Sequence, residues 1–126
     1  MGNSWQQPVS GEFGRGMMKR HQAELLDLDP DTSLTAVDCS GEVPKGCRTI
    51  LTHIDVDSTG AAEVIDFYDD SGGGEGAHWA HYETDSGNAD DHDQVIIGLD
   101  ADRKFYYQAG SVNINSLDID LVAYWV

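Results

Sequence analysis

From residue 34 onward, apolar and polar positions alternate in short runs separated by turn-forming residues. Residues 34–38, 47–56, 63–68, 77–84, 94–99, 104–108, 112–114 and 117–126 each read as a β-strand, because a period of two sends alternate side chains to opposite faces of a sheet. Turn chemistry stands between them, as in Pro44-Lys45-Gly46 and Gly72-Gly73-Gly74. The last run has apolar residues at 117, 119, 121, 123 and 125, with Asp118 and Asp120 on the other side. At Val122, Tyr124 and Val126 the second face also turns apolar, so that strand end is expected to be covered on both faces. About seven to eight strands, spaced roughly 8–12 residues apart without intervening helices, predict an all-β fold, an antiparallel β-sandwich or jelly roll.

The first quarter of the chain reads differently. Residues 1–16 show no period and contain Gly2, Pro8, Gly11, Gly14 and Gly16, with Trp5 and Phe13 as isolated aromatics. This is an irregular arm. Residues 17–28 predict a short helix with Met18, Leu25 and Leu28 on one face, ended at Asp29-Pro30-Asp31. The expected organisation is an N-terminal arm over residues 1–33 and a β-sandwich domain over residues 34–126.

Charge sharpens that division. The 126 residues carry 23 Asp+Glu against 7 Lys+Arg, a formal net charge of −16. Arg15, Lys19 and Arg20 lie in the first 24 residues beside only Glu12 and Glu24, so a +1 arm leads into a −17 body. Such a body repels nucleic acid and anionic membranes, and neither is expected as a partner. Few Lys, many Asp and many small residues resemble the composition of proteins from extreme halophiles and their viruses. In molar salt the Debye length falls to about 3 Å, so crowded carboxylates barely repel one another. The chain is nonetheless 40% hydrophobic, enough to bury a core. It has no apolar run of the ~18 residues that a membrane-spanning helix needs. Its N-terminus lacks the apolar stretch of a secretory signal, so assembly inside the cell is expected. Cys39 and Cys47 read as two buried thiols, with a disulfide across the intervening turn as the alternative.

Candidate chemistry is sparse. Asp55, Asp57, Thr59, Gly60, Glu63 and Asp66 fall on positions 1, 3, 5, 6, 9 and 12 of a calcium-loop pattern. Position 12 is normally a bidentate Glu, and the flanking runs are strands, so the segment reads first as a hairpin turn with solvated acids. Asp55, Asp57, Thr59, Glu63 and Asp66 are a weak calcium set. The acidic loop 85–93 is expected at most to hold cations adventitiously. No cofactor is expected beyond loosely bound Ca, Mg, Na or K ions. His78 and His81 are three apart, which on a regular strand places them on opposite faces. They are expected at a surface or interface and not on one ion. No Gly-x-Ser-x-Gly elbow or phosphate loop occurs, and the carboxylates are too many to single out a pair. An enzyme is not expected. Trp5, Phe13, Met17 and Met18 are apolar anchors on the arm, suited to docking on a partner. Tyr124 and Trp125 are core or interface.

Residues 34–126 resemble a small class of β-sandwich proteins found in the virions of tailed viruses. The resemblance runs through Leu34-Thr-Ala-Val, Glu42-Val-Pro44-Lys45-Gly-Cys47-Arg48 and Thr49-Ile-Leu-Thr-His-Ile-Asp-Val. It continues through Ile65-Asp-Phe-Tyr-Asp-Asp-Ser-Gly, Arg103-Lys-Phe-Tyr-Tyr and Val112-Asn-Ile-Asn-Ser-Leu-Asp-Ile-Asp-Leu-Val-Ala-Tyr. The extra acidity and the loop 85–93 depart from it. The resemblance implies capsid decoration, a turret or spike base, or a small tail protein, with no catalytic residues to carry over. It further implies a virion location after assembly in the host cytoplasm. The implied partners are major capsid or tail proteins and further copies of the chain, as in a homo-oligomer such as a trimer. The alternative is a calcium- or carbohydrate-binding β-sandwich module of a halophilic cell.

Overall fold

The structure, a computed structural model, describes residues 18–28, 30, 32–59, 63–84 and 89–126. Its eight strands are β1 (Met18–Leu28), β2 (Thr35–Asp38), β3 (Thr49–Ser58), β4 (Val64–Tyr68), β5 (His78–Glu83), β6 (Ala89–Gly98), β7 (Lys104–Ala109) and β8 (Ile114–Trp125). They form two four-stranded sheets, ordered β1-β8-β3-β6 and β2-β7-β4-β5. Every pairing is antiparallel.

The pairings explain the order. β1 pairs with β8, β2 with β7, β3 with β6 and β4 with β5, as in one long hairpin whose tip lies between β4 and β5. Rolling that ribbon brings β8 onto β3 and β7 onto β4, which closes each sheet. This is a jelly roll, two Greek keys in a double sheet. The all-β expectation holds.

Alternation drives the packing. In β3 the side chains of Ile50, Thr52, Ile54, Val56 and Ser58 are buried, and the residues between them face outward. Leu117, Ile119 and Leu121 of the neighbouring β8 extend this apolar face, and Ile65 and Phe67 of β4 and Phe105 and Tyr107 of β7 supply the facing layer from the other sheet. Each fully buried side chain of this size contributes about 1.5–3 kcal/mol. The buried Thr52 hydroxyl is satisfied by donating to the Val95 carbonyl at 2.8 Å.

Residues 18–28 correct the helix expectation: they form a strand, and the sandwich begins inside the segment assigned to the arm. β8 is 12 residues long, and one of its edges would lack hydrogen-bond partners without β1. Pairing along that edge outweighs a weak local helical preference. Two register shifts, between Arg20 and Ala23 and between Glu24 and Leu26, let Ala23, Leu25 and Leu26 all pack against the core. Two further boundaries move. The last two expected strands are one, β8, which runs from Ile114 to Trp125 with Val112 and Asn113 in the turn before it, and residues 89–93 belong to β6 and not to a long loop.

The connection between β2 and β3 caps one end of the core with Cys39, Val43 and Cys47. Both cysteines are free and buried. Burial pushes the Cys39 thiol up to about 12 and raises that of Cys47 as well. Arg103 holds this cap down. Its guanidinium Nη1 donates to the carbonyls of Ser40 at 3.2 Å and Val43 at 2.9 Å, and its own carbonyl accepts from Cys39 N–H. Arg103 has φ 65, a left-handed conformation unusual for a side chain with a Cβ.

Candidate functional site

The densest chemistry lies on the outer face of the second sheet. β4 alternates, with Ile65 and Phe67 buried, so Val64, Asp66 and Tyr68 face outward. Asp66 lies between Gln108 of β7 and His81 of β5, and Tyr68 lies between Tyr106 and His78. Two cross-strand rows result, Gln108–Asp66–His81 and Tyr106–Tyr68–His78.

His78 and His81 thus share a face, against the expectation from their spacing. The reason is a β-bulge. Phe67 pairs with Ala80 and Tyr68 with His78, so Trp79 has no partner on β4. One extra residue turns an odd separation into a same-face one. Trp79 is pinned outside the ladder. Its indole Nε1–H donates to Asp69 Oδ2 at 2.8 Å, and its ring lies against Gly98 of β6 where any Cβ would clash with it. The turn leading into β5 uses Gly73 and Gly74 at φ 66 and 95, which only glycine adopts freely.

Both imidazoles converge on one oxygen. His78 Nε2 is 2.8 Å and His81 Nδ1 2.7 Å from Asp66 Oδ1. His81 Nε2 lies 3.9 Å from Glu83 Oε1. The His78 ring also packs against Tyr68, with centroids 5.3 Å apart. Burial, and then the Asp66 charge, hold the Tyr68 hydroxyl above its ordinary pKa. Tyr106 is pushed up to about 12 because its hydroxyl donates to Asp100 Oδ2 at 2.8 Å, with burial adding to the effect. Asp66, His78 and His81 each offer one ligand atom, and these atoms all lie within 4.8 Å of one another.

The outer face of the first sheet is acidic. Asp27, Asp118 and Asp55 stand in register across β1, β8 and β3, beside the row Glu24, Asp120 and His53. Asp118 Oδ1 is buried and accepts no hydrogen bond from any described residue. Burial, then Asp120 and Asp27, raise its pKa against the opposing pull of His53. A groove of about 600 Å³ crosses this face, lined by Arg20, Glu24, His53, Gln94, Asp120 and Val122 among others. None of its lining residues is Trp, Tyr or Phe.

The calcium set does not assemble. Asp55 and Asp57 face outward on the first sheet, and Asp55 lies 3.5 Å from His92. Thr59 Oγ1 donates to the Asn113 carbonyl, and Glu63 accepts from Ser111 and Asn113. Asp66 lies on the other sheet with the histidines, because the chain crosses between sheets from β3 to β4. Gly60 lies outside the described residues, as do the expected anchors Trp5, Phe13 and Met17. Met18 is 47% exposed at the start of β1 and pairs with Trp125. Tyr124 and Trp125 are half-buried, and Tyr124 packs against the core. The pairing of β8 with β3 skips Val122, yet the alternation of burial continues, with Leu121 and Ala123 buried and Val122 and Tyr124 half-buried.

No protein-family model and no curated protein matches the sequence. Among solved structures, a Bacillus endospore appendage, from a family of disulfide-linked pili, is similar at 12% identity, with 89% of this chain and 93% of that chain covered and a TM-score of 0.49. A carbohydrate-binding module of Cellvibrio mixtus lichenase 5A in complex with cellotriose is similar at 13% identity, with 85% and 91% covered and a TM-score of 0.45. The K3 adhesin domain of Lys-gingipain from Porphyromonas gingivalis is similar at 12% identity, with 82% and 100% covered and a TM-score of 0.43. Superpositions this loose carry no inference about ligand or partner.

Proposed function

We propose that the chain is a non-enzymatic structural component of a tailed-virus particle from a halophilic host. It serves as a capsid decoration, turret, spike-base or tail element docked through its N-terminal segment. One observation carries this reading: β1 is an outermost strand of the first sheet, and residues 1–17 lead directly into it. An edge strand presents unpaired N–H and C=O groups along its free side. The free edge of β1 is therefore the attachment surface, with Met18 exposed at its start and Lys19 and Arg20 beside it. The jelly-roll order also supports the reading, since viral capsid domains use it. Further copies of the chain, as in a trimer, and the major capsid or tail proteins are the partners. The acidic faces meet brine.

Truncation tests this. Because the sandwich starts at β1, the deletion stops before it and removes residues 2–17 only. The truncated protein is expected to keep the far-ultraviolet circular dichroism of the full chain and to be missing from assembled particles. Normal copy number in particles would sink the docking reading.

A second reading, a carbohydrate-binding module, is favoured by the row Tyr106–Tyr68–His78 with Asp66 and Gln108 beside it. Half-buried aromatic rings next to convergent polar groups are what a sugar ring stacks on. Retention on a polysaccharide column that is lost in Tyr68→Ala would put this reading in place of the first.

A further inference from the structure

We propose that Asp66, His78 and His81 form a binding site for one divalent transition-metal ion of the zinc class. The inference rests on this cluster alone and stands independently of the proposed function.

The donor set selects the class of ion. Two imidazole nitrogens and one carboxylate oxygen suit zinc and its neighbours, whereas calcium and magnesium take oxygen ligands. Three protein ligands with a fourth position open to water, or to a donor from a neighbouring molecule, is a familiar zinc arrangement. Asp66 belonged to the calcium pattern in the sequence, but the fold exchanges its oxygen partners for two imidazoles.

The geometry is close to what the ion needs. Zinc bonds of about 2.0–2.1 Å to N and O in a tetrahedron separate the ligand atoms by roughly 3.3 Å. Asp66 Oδ1 is 2.8 Å from His78 Nε2 and 2.7 Å from His81 Nδ1, so the carboxylate has to withdraw by only about half an ångström. In the metal-free state both ring N–H groups donate to that oxygen, which holds the three groups together. A bound ion takes the unprotonated nitrogen of each ring, so the ring proton then sits on the other nitrogen, Nδ1 in His78 and Nε2 in His81. The His81 proton then faces Glu83, 3.9 Å away. A carboxylate behind the ligating ring is the usual orienting partner of a metal-bound histidine.

The site is also held by its surroundings. The Trp79 bulge that brings the two rings to one face is locked by Asp69 and Gly98. The two rings project from the same strand, so their spacing does not depend on loop placement. The cluster lies on the outer face of the second sheet, away from the acidic ladder of the first.

The test uses the full chain, stripped with a chelator and held in molar KCl so that the acidic surface is screened. Titration with Zn²⁺ by calorimetry is expected to give one equivalent per chain with micromolar or tighter affinity. Titration with Co²⁺ is expected to give the visible absorption of a tetrahedral centre. His78→Ala and His81→Ala are each expected to weaken Zn²⁺ binding at least about tenfold, in the range seen for disturbed metal sites. Asp57→Asn, on the other sheet, is expected to leave it unchanged. The rings are exposed, so the variants keep the fold, and circular dichroism checks this. Unsaturable binding, or equal affinity in the His78→Ala/His81→Ala double variant, would overturn the site.

Discussion

Asp118 shows how a single carboxylate reports its surroundings. It stands between Asp27 and Asp55 across three strands, with a buried oxygen that has no hydrogen-bond donor among the described residues. Burial and the neighbouring Asp120 and Asp27 raise its pKa. A carboxylate whose folded pKa is raised favours the fold while protonated, and that contribution is lost as pH rises through the folded value. At neutral pH its charge is therefore a cost. Asp118→Asn is expected to stabilise the protein at pH 7 by about 0.5–1 kcal/mol, the size of a cross-strand charge effect. The gain should vanish at pH 3, where the wild-type group is protonated in both states. Thermal melts of both proteins at the two pH values check this, and a variant less stable at pH 7 contradicts it. Asp118 was readable as outward-facing from the alternation in β8. Asp120 was readable beside it on the same face, but its cross-strand neighbours Asp27 and Asp55 were not, since they lie far from it in sequence.

Strand β5 carries the lesson at the level of elements. Alternation located it correctly, yet placed His78 and His81 on opposite faces, because period-two reasoning assumes an unbroken ladder. The bulge at Trp79 breaks it. Trp79 lodges against Gly98 on a strand of the other sheet, a contact that no local pattern encodes. Gly98→Ala is expected to push the indole out at a cost of about 1–3 kcal/mol. It should also release the bulge, so that His78 leaves Asp66 while His81 stays. Melting curves give the first effect, and ring resonances of His78 and His81 by nuclear magnetic resonance give the second. Unchanged ring signals would show that the bulge is held by something else. β1 teaches the converse. A helical period over residues 17–28 lost to the free edge of β8, because an isolated short helix gains less than a strand that completes a sheet.

For the whole molecule, the −16 net charge acts on a fold whose first sheet aligns carboxylates in rows. Raising the salt from about 0.1 M to 1 M shortens the Debye length from about 10 Å to about 3 Å and quenches most of that repulsion. Relief of about 2 kcal/mol would raise the melting temperature by roughly 10 °C. Scanning calorimetry across a KCl series is expected to show such a rise, with a shallower slope in Asp118→Asn. A flat or falling series would remove the acidic ladder as a source of instability. The alternation of residues 34–126 by itself determined an antiparallel sandwich, because which side chains face inward is settled by nearest neighbours along a strand. Charge counting placed the basic residues near the N-terminus, but its boundary falls inside β1, which belongs to the sandwich. The identity of the first strand, the register of β5 and the meeting of Asp66 with both imidazoles were decided only by the tertiary structure. Each depends on pairing between segments far apart in the chain, where edge satisfaction and packing outweigh local preference.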